Sequence, residues 1–166
     1  MSLLTILHHP DPRLRQKAEP VSAFDKALQK LIEDMFETMY DAPGVGLAAP
    51  QVGIPLRLSV MDCSESCDQR RVMINPEISA CADLQKMEEG CLSVPDIQDT
   101  VQRYNRLHLR AFDHHGEPYE LDAEGLLAQC IQHETDHLNG KLFIDHLSSL
   151  KRDRIRKKLL KQQKYA

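Results

Sequence analysis

The stretch His-Glu-Thr-Asp-His at residues 133–137 constrains the fold of this chain more than any other segment. Residues four positions apart lie on the same face of an α-helix, so a helix here would present the imidazoles of His133 and His137 to one metal ion. Glu134 would add a carboxylate within reach of a water bound to that ion. The fold must therefore bury one face of this helix beside a third ligand that another segment supplies.

The residues that follow His137 provide few candidates for the third ligand. Related helical motifs use either a later Glu or a third His six positions after the second. This chain has no Glu after Glu134, and Phe143 occupies the position of such a His. Asp145, His146 and Asp153 remain, and Asp145 and His146 lie beyond the predicted end of the helix at Gly140. We interpret His146 as a surface or packing residue.

Upstream of the motif, Cys91 is the most prominent candidate ligand. Gly90 precedes it, and a glycine beside a cysteine lets the backbone and thiol approach another element closely. A free cysteine is also commonly a small buried apolar residue, and this alternative stays open for Cys91. Cys81 and Cys130 fit that alternative better. Cys130 lies three positions before His133, on the same helical face, and should line a pocket or the core.

The remaining two cysteines form a Cys-x-x-x-Cys pair, Cys63 and Cys67, in a polar segment. A second metal site is conceivable there, but no further His or Cys pair accompanies them. Five irregularly spaced cysteines without an export signal argue against a disulfide framework. We therefore expect reduced thiols that are available as ligands.

The length and composition predict one globular domain spanning residues 1–166. The balance of apolar and charged residues is typical of such a domain. The chain has neither a basic leader nor a long apolar run, so we expect a cytoplasmic protein without a membrane segment. Its charge is uneven. Residues 151–166 contain eight Lys or Arg and one acidic residue, whereas the rest of the chain has a large acidic excess.

Hydrophobic periodicity predicts three helices and several strands. Helices are expected at residues 25–40, 123–139 and about 147–161, with Gly140 ending the second. Strands are expected at residues 55–62, 72–75, 106–112 and near 119–121, the last two joined by a turn at 113–116. This order favours the α+β class, with antiparallel sheets wrapped around a central metal-bearing helix and a C-terminal helix.

Three motifs in one order resemble the signature motifs of bacterial peptide deformylases. They occupy residues 44–51 (GVGLAAPQ), 89–93 (EGCLS) and 132–140 (QHETDHLNG). The resemblance extends to residues 7–15 (LHHPDPRLR), 35–40 (MFETMY), 74–76 (INP) and 140–143 (GKLF), and so covers nearly the whole chain. It implies an enzyme that removes the formyl group from N-formylmethionyl ends of nascent polypeptides and releases formate.

The resemblance also implies the site residues. Cys91, His133 and His137 would hold one divalent metal. Fe(II) is the expected physiological ion, although the ligand chemistry alone suits zinc, and Ni or Co could substitute. Glu134 would act as general base and then acid as metal-bound water attacks the formyl carbon. The Gln51 amide and the backbone N–H of Leu92 would stabilise the developing oxyanion.

A pocket for the methionine side chain needs an apolar wall with few polar groups. The candidates are Val45, Met87, Leu126 and Cys130, with the stems of Glu89 and His133. Gly44 and Gly46 would let the substrate backbone run alongside as an added strand, and Gly90 would lie beside it. Arg103 is either a partner that holds Glu89 in place or an ordinary surface residue.

Two glutamines and the thiol pair depart from the family pattern. Gln98 replaces an Arg that some relatives carry near the far end of the substrate, and Gln129 replaces an apolar residue near the pocket. The Cys63 and Cys67 pair is not a family feature. These departures affect preferences beyond methionine rather than the chemistry.

The basic C-terminal segment has two interpretations. It is either a solvated helix face with Ile155 and Leu159 packed inward, or a contact with ribosomal RNA near the peptide exit, as the family resemblance suggests. DNA and membranes are not expected partners. Two other functions are weighed against deformylation: cleavage of internal peptide bonds, and a non-enzymatic module in which the metal is only structural. The missing downstream ligand argues against the first, and Glu134 and Gln51 would have little use in the second.

Overall fold

The computed structural model describes residues 2–164 and has the α+β architecture expected from the sequence. Three helices and five strands alternate irregularly along these residues. In order they are α1 (Lys26–Asp41), β1 (Gly46–Ala48), β2 (Leu58–Met61), β3 (Arg71–Cys91), β4 (Val94–Phe112), β5 (Pro118–Glu124), α2 (Leu126–Leu138) and α3 (Ser149–Lys164). Short 3₁₀ helices cover Pro12–Arg15, Ala49–Val52 and Phe143–His146.

Helix α1 begins where its sequence provides a cap. The Asp25 carboxylate accepts a hydrogen bond from the backbone N–H of Leu28 at 3.0 Å. This bond satisfies one of the free donors of the first turn. The apolar face that the periodicity predicted is buried in the largest core cluster, with Ile32, Met35 and Met39 at its centre. This helix therefore supports the sheet rather than the site.

The five strands form one sheet in the order β1-β2-β3-β4-β5, and every neighbouring pair is antiparallel. Strands β3 and β4 form a long hairpin whose pairing shifts register at three places, the last between Gly90 and Cys91. Such irregularities bend a ribbon and redirect its side chains. Cys91 lies at the hairpin tip, where it pairs with Val94. The tip faces helix α2.

The predicted strands at 72–75 and 106–112 are correct in position but are fragments of β3 and β4. Most side chains between positions 79 and 88 are exposed, including Leu84, which is 52% accessible. A ribbon with both faces in water has no apolar alternation to detect. The strand predicted at residues 55–62 is shorter in the structure, where β2 spans Leu58–Met61. Strand β1 was not predicted.

Helix α2 begins at Leu126, three residues later than the sequence predicted. Ala123 and Glu124 belong to β5 and pair with β4, because the alternating pattern of the strand continues to that point. Gly125 makes the junction with φ of 65°. Helix α2 packs against β1, β2, β4 and β5, so it occupies the central position expected of it.

Gly140 ends the second helix as predicted, and its conformation leaves no room for a side chain. It has φ of 74°. This is the left-handed region, in which residues with a Cβ are strained. An added Cβ would collide with the backbone carbonyl oxygen of Arg15 and lie 2.8 Å from its carbonyl carbon. The chain after α2 therefore turns directly against the N-terminal segment.

We expect Gly140→Ala to lower the free energy of unfolding by about 1–3 kcal/mol, measured by urea denaturation. Gly53→Ala is the matched control. Gly53 also has positive φ, 80°, but its Cβ would meet its nearest neighbour, Arg13, at an ordinary 3.7 Å. The control should lose less stability. An equal loss in the two variants would contradict a role for the close approach of Arg15.

The C-terminal helix α3 begins two residues later and ends three residues later than predicted. Ile155 and Leu159 are buried, as the packing interpretation required, and the basic side chains lie outside.

Cys81 is exposed on β3, so its interpretation as a buried apolar residue is wrong. Within residues 2–164, no helix has the length and apolar character needed to cross a membrane. The single domain at 1–166 stays a prediction.

Candidate metal centre

Three donor atoms converge where the β3–β4 hairpin meets helix α2. His137 Nε2 lies 3.1 Å from His133 Nε2 and 3.3 Å from Cys91 Sγ, and all three donors lie within 4.8 Å of one another. Both imidazoles are buried. One thiolate and two imidazoles suit Zn²⁺ or Fe(II), so the donor set fits a single borderline divalent ion. No second such group exists in the described part of the chain, and Cys63 and Cys67 do not form one.

A buried network orients the His133 ring. Its Nδ1 lies 2.8 Å from Glu89 Oε2. Nδ1 must carry the proton, because a carboxylate only accepts. Arg103 donates to both oxygens of Glu89 at 3.0 and 2.6 Å and to Asp136 at 2.8 Å. The structure thus contains the Arg103–Glu89 pair considered above. The network leaves Nε2 of His133 free to coordinate, as is usual for metal-bound histidine.

The network also determines the charge of Glu89. Burial alone would raise the pKa of this carboxyl, but the hydrogen bonds from His133 and Arg103 outweigh it and lower the pKa to about 2. Burial lowers the pKa of the other imidazole, His137, well below its usual value. Glu89 is therefore an anion in the interior, balanced by Arg103 rather than by solvent.

Glu134 lies on the same buried face as the two imidazoles, and its Oε1 has no hydrogen-bond partner among the described residues. Burial raises the pKa of this carboxyl to about 7. A Cβ on Gly46 would collide with Oε2 of Glu134 and lie 3.0 Å from its carboxyl carbon. Strand β1 therefore approaches α2 closely enough to fix the carboxylate, and only glycine permits that approach.

Gln51 reaches the same centre from the 3₁₀ helix Ala49–Val52. Its Oε1 accepts from the backbone N–H of Ala48 at 2.9 Å, which orients the amide. Its Nε2 donates to Ser93 Oγ at 3.0 Å and points towards Cys91 Sγ at 3.6 Å. Gln51 is 1% exposed. A buried amide needs partners for its donors, and this one is directed at the metal-capable group.

A cavity of about 690 Å³ opens beside these groups. Most of the residues proposed for the pocket line it, among them Val45, Gly46, Glu89, Gly90, Leu126 and Cys130. Glu134, Gln51, Leu92, His133 and Cys91 line it as well, whereas His137 lies behind them. Val45 and Leu126 are exposed apolar residues of the wall, 47% and 51% accessible. Met87 does not line the cavity, so its inclusion in the pocket is wrong.

Several residues of the wall were not predicted from the sequence. Val94, Asp96 and Ile97 belong to the first residues of β4 beyond the hairpin tip, and Pro43 precedes Gly44. Val94 and Ile97 are three positions apart, so they do not show the period of two that predicts a strand.

Gln98 and Gln129 also line the cavity, as their positions near the substrate implied. The Gln129 amide donates to the Glu88 carbonyl at 2.8 Å and to Glu89 Oε1 at 3.2 Å. This glutamine therefore contacts the same carboxylate that orients His133.

Comparisons with known proteins agree on one family. Residues 3–153 match the family model described as polypeptide deformylase. Peptide deformylases from Azotobacter vinelandii and Pseudomonas aeruginosa are 59% and 57% identical to the chain over 165 residues, covering 99% of it and 98% of each relative.

Solved structures give the same result for the fold. A peptide deformylase from Legionella pneumophila superposes with a TM-score of 0.94 at 53% identity, covering 99% of this chain and 97% of that one. A peptide deformylase from Ehrlichia chaffeensis, solved in complex with actinonin, superposes with a TM-score of 0.94 at 41% identity, covering 98% of each chain.

Proposed function

The chain belongs to the polypeptide deformylase family, and we propose that it removes the formyl group from the N-terminal formylmethionine of nascent polypeptides. One observation carries the proposal. The donors of Cys91, His133 and His137 meet beside a cavity that also exposes apolar side chains such as Val45 and Leu126, and Glu134 lines the same cavity. Such a cavity suits one chain end that bears a small amide and an apolar side chain. Because the substrates would be nascent chains, we propose a cytoplasmic location.

Cys91, His133 and His137 would hold one divalent ion, for which we propose Fe(II), with Zn, Ni or Co as substitutes. When bound, that ion would polarise the formyl group and lower the pKa of water in the site. The chain supports this arrangement through Glu89, which fixes the tautomer of His133, and through Arg103, which fixes Glu89.

Glu134 would carry the proton. Its unpartnered Oε1 would accept a proton from water as the water oxygen bonds to the formyl carbon. The same carboxyl would then donate that proton to the methionine nitrogen as the carbon–nitrogen bond breaks. Formate and a free amine are the products, and the carboxylate is regenerated.

The formyl oxygen would gain negative charge as water adds, and we propose two hydrogen-bond donors that would stabilise it. Gln51 Nε2 makes a strong contact with Ser93 Oγ and a longer one with Cys91 Sγ, so its second N–H can turn to the substrate. We propose the backbone N–H of Leu92, at the hairpin tip, as the other donor. An uncharged amide suits this role because it donates a hydrogen bond without adding a net charge beside the metal ligands.

The peptide would add to the sheet beside β1. This strand is at the edge of the sheet, so one side of its backbone has no neighbouring strand within residues 2–164. Extended peptides bind to such edges. Val45, Leu126 and Cys130 would then contact the methionine side chain, with Gly44 and Gly46 allowing close approach.

The two polar residues that depart from the family pattern would act further along the substrate. Gln98 and Gln129 lie along the cavity wall, where contacts to residues after the methionine would be made. Their amides can donate to or accept from a peptide backbone, so they favour no particular side-chain charge.

Formate release from formyl-Met-Ala tests the proposal directly. The protein is loaded with Fe(II) without oxygen, or with Ni(II), its metal content is measured, and formate is followed with a coupled dehydrogenase. We expect turnover of the formyl peptide and none of acetyl-Met-Ala, whose larger acyl group would crowd the site. No formate from protein that binds one metal per chain would contradict the proposal, and cleavage inside a longer peptide would favour a peptidase.

Gly46→Ala should reduce kcat/KM for formyl-Met-Ala by about 10²-fold, because the new methyl group would displace the Glu134 carboxylate. Stability should change little, since the displaced atoms are the end of a flexible side chain. In the comparison variant Gly44→Ala, the Cβ would meet the Leu92 side chain instead, at 2.7 Å, so the decrease should be smaller. Wild-type activity in Gly46→Ala would show that Gly46 does not act through Glu134.

We also propose that α3 contacts ribosomal RNA near the peptide exit. Its basic side chains lie on the outer surface, while Ile155 and Leu159 anchor it. The alternative, a solvated basic face, stays open. Because those two residues are buried, deleting the helix would expose core, so neutralising charges is the better test.

We expect the triple variant Lys157→Gln, Lys158→Gln, Lys161→Gln to bind ribosomes more weakly. The slope of its salt dependence should be shallower by about one unit for each phosphate that a replaced lysine had neutralised. Affinity is measured by sedimentation at several salt concentrations. The control removes the same charge from exposed lysines outside α3: Lys17, Lys26 and Lys86. Equal effects of the two triple variants would favour the solvated-face interpretation.

A further inference from the structure

Two cysteines that are 67 positions apart in sequence contact each other beneath the cavity wall. Cys63 Sγ lies 3.2 Å from Cys130 Sγ. Cys63 follows β2 and is half-buried, whereas Cys130 lies on α2 and is buried. The metal centre and deformylation make no use of this contact, and Cys63 is one of the residues that depart from the family pattern.

The surroundings of the pair are apolar and asymmetric. Both thiols pack in the cluster that contains Met61, Met73 and Ile131. Cys130 also lines the cavity, but Cys63 does not. Because Cys63 is the less buried of the two, a small oxidant from solvent has better access to it, and Cys130 is its nearest sulfur partner.

The hydrogen bond between the thiols also divides their roles. It lowers the pKa of Cys63 and raises the pKa of Cys130, which burial raises further. Cys63 is the more accessible sulfur, and its lowered pKa favours the thiolate, the reactive form of cysteine, so we take Cys63 as the nucleophile of the pair. Cys91 belongs to a different group: its sulfur contacts His137, Gln51 and the backbone N–H of Ser93.

We propose that Cys63 and Cys130 are a reversible oxidation site that forms a disulfide when the protein meets a hydroperoxide. The Cys63 sulfur attacks the peroxide, whose oxygen–oxygen bond breaks, giving a sulfenic acid and releasing an alcohol, or water from hydrogen peroxide. The Cys130 sulfur then attacks the sulfenic sulfur, loses its proton and expels a second water. Two thiols lose two electrons and two protons, and a thiol reductant restores them.

Little movement is needed, because the sulfur atoms are already in contact. To form the bond they must approach each other by about 1 Å. The bond would join the segment after β2 to the helix that carries His133 and Glu134. Because Cys130 is part of the cavity wall, the oxidised pair would change the wall itself. Transient redox-sensing disulfides of this kind are compatible with a reducing compartment.

Mass spectrometry tests the proposal independently of catalysis. Zinc-loaded protein, chosen because zinc has no redox chemistry of its own, is treated with a small excess of hydrogen peroxide, alkylated and digested with trypsin without reduction. Cys130 is the one cysteine of residues 111–141, Cys91 lies on 87–103, and Cys63 shares 58–70 with Cys67. We expect a product linking 58–70 to 111–141 that disappears with dithiothreitol, while Cys91 remains alkylated.

Two variants assign the bond. Cys67→Ala should retain the linked product, which then contains Cys63 as its one cysteine in 58–70, whereas Cys63→Ala should lose it. The oxidised wild type and Cys67→Ala should melt about 5 °C or more above their reduced forms, because the cross-link restricts the unfolded chain. Cys63→Ala should show no such shift.

Three outcomes would overturn the proposal. They are a product joining Cys130 to Cys91, a product that requires Cys67, and full alkylation of Cys63 and Cys130 after peroxide treatment. The first two assign the reactive pair elsewhere, and the third shows that contact between the thiols does not lead to oxidation.

Discussion

Replacing Glu134 with Gln should reduce kcat/KM for formyl-Met-Ala by about 10²–10⁴-fold, the usual contribution of a general acid–base group. Gln keeps the size of the side chain but cannot accept a proton. Glu134 is 2% exposed and its Oε1 has no hydrogen-bond partner, so no other described group is placed to take over that proton. Formate release gives the rate, and metal analysis should still find one ion per chain.

The control for this variant is Glu124→Gln, the same change at an exposed position at the end of β5. Its activity should equal that of the wild type. If Glu134→Gln kept full activity with metal bound, the proton-transfer role proposed for Glu134 would be wrong. If it no longer bound the metal, the carboxylate would instead be needed to assemble the site.

Replacing Arg103 with Met should lower the free energy of unfolding by about 3–5 kcal/mol, because it leaves the Glu89 carboxylate buried without its partner. Both side chains are nearly inaccessible, 4% and 5% exposed. The same change should weaken metal binding about 10–100-fold, since Glu89 orients His133. Urea denaturation measures the first effect and competition with a chelator measures the second.

Arg110→Met is the matched control, on the same strand but with a side chain that is 66% exposed. It should change stability by less than about 0.5 kcal/mol and should not alter metal affinity. Comparable stabilities of the two variants would mean that Glu89 is neutral in the interior. Reduced stability with unchanged metal affinity would separate the Arg103 network from the metal centre.

The site was more predictable from sequence than the sheet. The spacing of His133 and His137 requires one helical face, and the cysteine of the 89–93 motif could be paired with them by resemblance. Asp136 was not predicted as a partner of Arg103, because nothing in the sequence distinguishes that position of the motif from an ordinary exposed helix residue.

The long hairpin was predicted only at its buried ends. At residues 72–75 and 106–112 the strands contact the core and their apolar residues alternate, but between them Leu84 and Tyr104 face water. Backbone hydrogen bonds hold the pairing there, and such bonds produce no hydrophobic periodicity in the sequence. The cavity residues after the hairpin tip were missed for a different reason: Val94 is buried, but the apolar positions near it do not alternate.

The shortness of β1 limits the number of polypeptide residues that can pair with its backbone. The strand consists of three residues, Gly46–Ala48. Backbone pairing along it can therefore cover only about three residues of an extended partner. If the substrate pairs with β1 as proposed, so short a pairing would leave most of the polypeptide without contact, and binding would depend little on the sequence that follows. One copy of this protein could thus serve many different gene products, and each would be released after a brief contact.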